Sequence, residues 1–411
     1  MSEGATKALA VKVVRRLRRS GHEALLAGGC VRDMLLGHRP VDYDVATSAT
    51  PQQVKKLFRR VLMVGAKFGV AMVIESGRRI EVATFRSDLS YSDGRRPDGV
   101  RFVTAREDAL RRDFTINGMF YDPLDRRVID YVSGRGDLAR GVVRAIGRPE
   151  QRLTEDYLRM LRAVRFAGRL GFRIDRATAE AVCRHAGLIV RISGERVREE
   201  LEKMFTHPSA SWSVRQMHRL GLLKAVLPEL FAEERTWPAA RRRVAAVGRR
   251  GDLLLTTAAL LAEVPGPQLR QIARRWGASN RMRDSLVWIG EHLDDWRTLG
   301  KAPLADLKRV LAHGASETLR ALWAVRERLQ TGGTRRCGAI GRRIKSIDPA
   351  RISPRPLVNG LDLSKMGLSE GRQVGIILAA LYEDQLNERL AGRRGALRRA
   401  RQLVAQAAGA Q

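Results

Sequence analysis

The chain reads as an α+β fold, with a mixed head of strands and helices followed by an all-helical neck, body and tail. Three observations carry this expectation. Runs with strand-like alternation and β-branched residues are confined to the first 145 residues or so. After about Pro149 helical periodicity dominates to the end. Breaks rich in proline and glycine then divide the helical part at residues 207–208, 264–267, 331–333 and 353–356. At 411 residues the chain exceeds what one core holds, and two to four domains are expected. The expected borders are a head over 1–147, a neck over 148–210, a body over 211–350 and a tail over 351–411. No repeat of fixed period is present.

Residues 8–20 carry Leu9, Val13 and Leu17 at helical spacing. Residues 22–27 read as a short strand leading into Gly28-Gly29, residues 31–36 as a short helix, and residues 41–46 as a second strand. Thr50-Pro51 opens another helix, because threonine accepts from the first turn and proline lacks a donor that the first position leaves unused. Residues 70–75 and 79–85 alternate around a Ser76-Gly77 turn and pair as strands. Residues 100–104 and 128–132 supply further strands. The last helices, over 370–390 and 391–408, are rich in arginine on one side.

Lys and Arg number 76 against 44 Asp and Glu, a formal net charge of +32. Most of these cations are arginines, whose planar fork grips phosphate bidentately. Genomic base bias enriches arginine too, but it does not explain why acids fail to rise in step. Such a surface suits nucleic acid first and a membrane surface second. Cys30, Cys183 and Cys337 lie far apart, without zinc or disulfide spacing. The start lacks the apolar core of a secretory signal, and the longest near-apolar run, residues 253–264, is too short for a bilayer. A reducing, cytoplasmic setting without membrane attachment is the expectation.

The chemistry concentrates in residues 28–47, where Gly-Gly-Cys-Val-Arg-Asp-Met-Leu-Leu-Gly precedes Asp42-Tyr43-Asp44. Gly28 and Gly29 let a backbone approach a triphosphate closely, and Arg32, one turn on, is placed to hold a phosphate oxygen. A tight turn packed for its own sake is the plainer reading of the glycines. Asp42 and Asp44, two apart on a strand, point to one face and repel unless a cation lies between them. Mg²⁺ takes carboxylate and phosphate oxygens readily. Two solvated acids on an exposed edge are the alternative, and the glycine turn just ahead favours the metal.

Glu81, between Ile80 and Val82, reads equally as a third ligand or as an outward-facing strand acid. Arg111-Arg112-Asp113 with Asn117 offers a phosphate grip and an internal ion pair, or else a helix start capped by Asp113. Residues 155–166 read as one helix. Glu155, Arg159 and Arg162 share a stripe, flanked by Asp156 and Arg165, while Tyr157, Met160, Leu161 and Val164 take the opposite face. Acids and arginines turned to a cleft can present acceptors and donors to a base edge, although i,i+4 pairs on a solvated helix use the same residues. Together these features point to an enzyme that moves nucleotidyl groups.

The same residues resemble class II tRNA nucleotidyltransferases, the CCA-adding enzymes of the polymerase-β-like nucleotidyltransferase superfamily. Residues 28–47 look like that family's Gly-Gly-x-Val-Arg-Asp-x-Leu-Leu-Gly and Asp-x-Asp motif. Asp88, Tyr91 and Asp93-Gly94-Arg95 look like its flexible-loop motif, and Arg111-Arg112-Asp113 with Asn117 like its Arg-Arg-Asp motif. Glu155-Asp156-x-x-Arg159, running on to Arg162, Arg165 and Phe166, looks like its nucleotide-templating motif. The four occur in family order, which is far more specific than any one alone. Gly360-Leu361-Asp362-Leu363 resembles the C-terminal region, although Ser369-Glu370-Gly371 replaces the usual Pro-Gly-Pro and residues 210–350 offer little to match. No His-Asp metal motif of the phosphohydrolase domain fused to some relatives is found there.

What the resemblance implies is concrete. The head would hold two Mg²⁺ on Asp42 and Asp44, with Glu81 assisting. Gly29, Arg32 and Arg112 would contact the incoming triphosphate, and Gly28, Asp113 and Asn117 would complete the nucleotide site. Asp156 and Arg159, supported by Arg162 and Arg165, would read CTP or ATP without a nucleic acid template. The loop over 88–97 would help switch the pocket from C to A. The helical parts would bind the acceptor stem and T-arm of tRNA by phosphate and shape contacts. Bacterial poly(A) polymerases share this fold and rank second. They usually carry a longer insertion where this chain has a compact loop over 91–95. CC-only relatives typically lack the loop motif, which argues against that type here, and an A-only enzyme stays open. A non-catalytic RNA-binding protein on the same fold is the reading from another class, and the retained Asp42, Asp44, Asp156 and Arg159 oppose it.

Overall fold

The structure, a computed structural model, describes residues 4–65, 69–88, 99–248, 251–368 and 371–408. The chain divides into two compact units, Met1–Glu234 with Gly248–Leu253 and Arg274–Ala278, and Arg235–Val247 with Leu254–Ala273 and Ser279–Gln411.

The first unit opens with α1 (Gly4–Arg19), β1 (Ala24–Ala27), α2 (Gly29–Leu35), β2 (Asp44–Thr47) and α3 (Pro51–Leu57). There follow β3 (Val61–Gly65), β4 (Val70–Glu75), β5 (Arg78–Thr84), β6 (Arg86–Asp88), β7 (Val100–Phe102), α4 (Ala105–Arg111), β8 (Phe120–Asp122), β9 (Arg127–Ile129), α5 (Gly134–Ala139) and β10 (Val142–Val143). Then come α6 (Pro149–Glu155), α7 (Leu158–Leu170), β11 (Arg173–Ile174), α8 (Arg176–His185), α9 (Gly194–Phe205), α10 (Ala210–Arg219) and α11 (Leu222–Val226).

Seven strands form a sheet in the order β3-β4-β5-β2-β1-β8-β9. It is mixed, as the sequence predicts: β2 runs parallel to β5 and antiparallel to β1. Successive residues of β1 face opposite ways, so Leu26 joins α1 residues Leu9, Val13 and Leu17 in one core, while Leu25 packs with Phe85, Phe120 and α4 residues Ala105 and Ala109 in another. Ala163, Phe166 and Ala167 of α7 belong to the first core. The sheet and this neck helix therefore share buried surface.

Local signals place several elements where they were expected. Thr50 caps α3 through a capping box with Gln53, and Pro51 takes the first helical position. β4 and β5 pair around Ser76 and Gly77, with Ser76 itself at φ +51°. Three expectations are corrected. Strand β2 begins at Asp44, so Asp42 lies just ahead of it; the two aspartates are still exposed on either side of buried Tyr43. The stretch 155–166 is two helices, because Asp156 at φ −144°, ψ 103° breaks the run between α6 and α7. The neck is not wholly helical, since β11 pairs in parallel with β10.

The second unit is built of α12 (Thr236–Val247), α13 (Leu253–Leu261), α14 (Gly266–Arg275), α15 (Asn280–Glu291), α16 (Leu304–Ala312), α17 (Ser316–Thr331), α18 (Arg335–Lys345), α19 (Gly360–Ser364), α20 (Arg372–Leu386) and α21 (Gly392–Ala408), except Leu253, Arg274 and Arg275, which fall in the first. Lys308 of α16 is 1% exposed and its ammonium meets Glu388 at 2.9 Å. Val358, Leu363, Ile377, Leu381, Ala396 and Ala400 form a separate small core around α19, α20 and α21. Asp362 closes a capping box with Asn359 at the start of α19. Among the described residues no helix is long and apolar enough to cross a membrane.

Gly194 opens α9 where an added Cβ would lie 1.6 Å from the carbonyl oxygen of Arg275. Gly194→Ala is expected to destabilise the first unit by about 3 kcal/mol, because a backbone oxygen cannot swing aside as a side chain can. Thermal unfolding checks this, and an unchanged Tm would contradict the close approach.

Candidate nucleotide-binding cleft

The first unit holds a cleft of about 480 Å³ whose walls come from β1, β2, β5, α2, α4, α7 and α9. Gly28, Gly29, Arg32, Asp44, Glu81, Arg112, Asp113, Asn117, Asp156, Arg159, Arg162 and Arg165 all line it. Asp42 does not, although its charge acts on Asp44. Asp88 ends β6, while Tyr91, Asp93 and Arg95 lie outside the described residues.

One end of the cleft is acidic. Asp44 on β2 pairs in register with Glu81 on β5, which sets the two acids side by side on neighbouring parallel strands. Asp44 is open to the cleft as a residue, but its carboxyl is crowded there. That desolvation, then the charges of Glu81 and Asp42, push its pKa from 3.8 to about 6 against the opposing pull of Arg112. Among the described residues no three His, Cys, Asp or Glu side chains form a closed metal cage. An open set of carboxylates that disfavour one another's charge is the donor chemistry a hard divalent cation satisfies, because Mg²⁺ commonly takes one or two carboxylates and completes its shell with water and phosphate oxygens. The residues present fit such an ion.

Next to the acids stands the glycine turn. Gly28 takes φ +73°, and a Cβ there would come 3.2 Å from Arg112 Nη1. Glycine thus serves both the left-handed backbone and the close approach of a guanidinium. Arg32 is 5% exposed; it pairs with Asp33 at 2.7 Å and donates through Nη1 to Asn117 Oδ1 at 2.7 Å. Cys30 beside it donates from Sγ to the Ala27 carbonyl, and burial raises its thiol pKa to about 11, which keeps it unreactive.

The Arg-Arg-Asp segment departs from the expected internal ion pair. Arg111 and Arg112 both close on Asp108, at 2.6 and 2.9 Å. Asp108 is 1% exposed, and the two guanidiniums keep its pKa below the usual value despite burial. Asp113 instead reaches into the neck, where Arg162 Nε and Nη2 donate to its Oδ2 at 2.9 and 2.6 Å. Its Oδ1 accepts from Phe114 N and Asn117 Nδ2 at the start of a short 3₁₀ turn, Thr115–Asn117. Burial opposes the charge on Asp113, yet Arg162, Arg159 and Asn117 hold its pKa down at about 2.

On α7 the expected two faces are present. Met160, Leu161 and Val164 are fully buried, and Arg159, Arg162 and Arg165 turn to the cleft. Arg159 Nη1 donates to Glu155 Oε2 at 2.5 Å and to the Arg152 carbonyl at 2.7 Å. Arg165 Nε donates to Glu200 Oε2 on α9 at 2.5 Å, and its guanidinium lies 4.1 Å from the Phe166 ring centre. Asp156 sits at the break between α6 and α7 and is met by Arg196 of α9 at 2.8 Å. Arg86, Arg111, Phe166, Arg169 and Arg196 also line the cleft without having been singled out as site residues. Arg111 and Phe166 lay inside quoted motifs. Arg196 carried no local signal, since its partner is 40 residues away.

This combination of mixed sheet, acidic strand pair and arginine-lined cleft defines a poly(A) polymerase-type head. Residues 24–144 match a family model described as the poly A polymerase head domain, and residues 171–233 match the probable RNA and SrmB-binding site of polymerase A. The CCA-adding enzyme of Geobacillus kaustophilus is 37% identical over 288 residues, covering 70% of each chain. Poly(A) polymerase I of Salmonella typhi is 44% identical over 232 residues, 54% of this chain and 50% of that enzyme. The chain spans about half the length of such poly(A) polymerase relatives. The crystal structure of the Bacillus stearothermophilus CCA-adding enzyme in complex with CTP superposes with a TM-score of 0.74 at 29% identity over 94% of each chain. The chain belongs to the family of class II CCA-adding enzymes, close to the bacterial poly(A) polymerases.

The Asp113–Arg162 pair carries a pH signature. A carboxylate whose pKa falls on folding adds stability above its unfolded value, and that stability is lost as pH drops through the folded value. Asp113→Asn is expected to cost about 2 kcal/mol near neutral pH, because it leaves the half-buried Arg162 guanidinium without its charge partner. Its unfolding free energy should also change less than that of the wild type between about pH 5 and pH 2. Denaturant titrations over that range check both; parallel curves would contradict the depressed pKa.

Proposed function

We propose that this protein is a template-independent tRNA nucleotidyltransferase that adds CCA, or its terminal A, to the 3′ end of tRNA from CTP and ATP. What supports the reading is one cleft that brings a glycine turn, carboxylates and arginines together, on a chain of the CCA-adding family. In the reaction the tRNA 3′-oxygen bonds to the α-phosphorus, the bond from that phosphorus to the bridging oxygen breaks, and pyrophosphate leaves. Asp42 and Asp44, with Glu81 beside them, are the residues that would hold Mg²⁺, whose bound charge neutralises the phosphate oxygens.

The chain's own groups supply positioning and fixed charge. Gly28 and Gly29 admit the triphosphate close to backbone, and Arg32 and Arg112 meet its oxygens, with Asp113 and Asn117 holding those arginines or their neighbours in place. Asp156 accepts from the base and Arg159 donates to it, while Arg162 and Arg165 brace that wall. The loop carrying Asp88, Tyr91, Asp93 and Arg95 takes part in the change from C to A. The helical parts take the acceptor stem and T-arm. A cytoplasmic, reducing setting accompanies this reading, in keeping with three cysteines that are all unpaired.

Poly(A) addition is the second reading, favoured by the 44% identity to poly(A) polymerase I. The test is incubation with Mg²⁺, labelled CTP or ATP, and tRNA ending at the discriminator base, at CC or at CCA. Addition of C, C and A that then stops is expected. A long A tail on any RNA would establish the second reading, and tRNA binding without incorporation would establish a non-catalytic protein. Asp42→Ala and Asp44→Ala should each lower incorporation by at least about a thousandfold, the loss of a central electrostatic group, with tRNA affinity nearly unchanged. Arg159→Ala should scramble C-versus-A choice more than it weakens tRNA binding, as measured by competition between the two nucleotides.

A further inference from the structure

We propose that Arg196 is the positioning residue that makes this cleft refuse bases bearing a carbonyl where cytosine and adenine carry an amino group. The inference rests on the nucleotide-adding reading above and extends it to a residue outside every motif quoted for the site. Cytosine and adenine present an amino donor beside a ring-nitrogen acceptor on their pairing edges. Uracil and guanine present a carbonyl acceptor beside a ring N–H. A carboxylate accepts and a guanidinium donates, so Asp156 beside Arg159 matches the first pair and opposes the second. The opposition holds only while the carboxylate stays where the base arrives.

Asp156 is not held by helix geometry. It occupies the break between α6 and α7, with φ −144° and ψ 103°. Among the described residues, two contacts fix its carboxylate. Leu158 N donates to Oδ1 at 3.1 Å, a local bond two residues away. Arg196 Nη2 donates to Oδ2 at 2.8 Å, a charge-assisted bond from α9. Arg159 has its own anchors in Glu155 and the Arg152 carbonyl, so it does not depend on Arg196.

Arg196 lines the cleft beside both, and its Nη1 is buried without a hydrogen-bond partner among the described residues. The helix behind it is firm: Gly194 abuts the Arg275 backbone, and Arg198 Nη1 donates to the Gly277 carbonyl at 2.5 Å. Arg196 thus works as a strut between a fixed helix and the loosely constrained base-reading acid. Without it Asp156 keeps only its local bond and can swing from the edge, which removes the repulsion against a carbonyl more than the attraction for an amino group.

The experiment compares kcat/KM for CTP, UTP, ATP and GTP on tRNA ends in the wild type, Arg196→Ala, Arg196→Gln and Arg196→Lys, with Tm and tRNA affinity measured alongside. The CTP/UTP and ATP/GTP ratios are expected to fall about tenfold or more in the alanine and glutamine variants, as when one charged hydrogen bond is lost, and to recover partly in the lysine variant. Equal losses on all four nucleotides, with ratios unchanged, would show support of the fold alone and overturn the proposal. If the alanine variant does not fold, the other two are read in the same way. If the wild type adds no nucleotide, the nucleotide-adding reading fails first, and calorimetric affinities of wild type and Arg196→Gln for the four nucleotides decide the role of Arg196 by the same ratios.

Discussion

Paired charge governs this cleft. Arginines are brought together there at a density that would drive the walls apart if each stood alone. Each of the main ones is tied to an acid from another turn or element: Arg111 and Arg112 to Asp108, Arg162 to Asp113, Arg165 to Glu200 and Arg196 to Asp156. These acids remove the mutual repulsion and use up only some of the donors on each guanidinium. The same arginines line the cleft, held in place by these pairs. The orientation of these groups is thus set by the fold itself, which is the physical content of preorganisation.

The Asp113–Arg162 pair does more than neutralise. It joins the turn after α4 to the middle of α7, across 49 residues of sequence. Phe166, one turn further along α7, packs into the core shared with the sheet, and the guanidiniums of Arg32, Arg162 and Arg165 all approach its ring. Apolar burial and ion pairing therefore fix the same helix from two sides. That helix carries Arg159, Arg162 and Arg165, so these arginines keep a fixed place in the cleft wall. The acidic strands stand opposite, where β2 and β5 run parallel and so place Asp44 level with Glu81.

Much of this was legible in the residues themselves. Capping at Thr50, the turn at Ser76-Gly77 and the two faces of α7 all follow from spacing over a few residues. The same spacing misled where competing local interactions were close in energy. Asp156 bonds to the backbone N–H two residues on, and that bond favours a break over a continuous helix. Asp362 was quoted as part of a motif, and its carboxylate closes the capping box that Asn359 opens at the start of α19. The acid that pairs with Arg111 and Arg112 is Asp108, an i,i+3 and i,i+4 neighbour on α4, which helical spacing alone could have named.

The sequence by itself determined the α+β class, the positions of most head elements, and many of the side chains that line the cleft. Those properties rest on backbone preferences, caps and periodicity, which act within about one or two turns of chain. The tertiary structure alone decided the partners: that Asp44 would lie level with Glu81, that Asp113 would leave its own segment for Arg162, and that Arg196 would come from α9 to Asp156. An ion pair between residues 40 or 49 positions apart leaves no periodic trace. It exists because packing of the sheet against α7, and of α7 against α9, brings the two charges within reach.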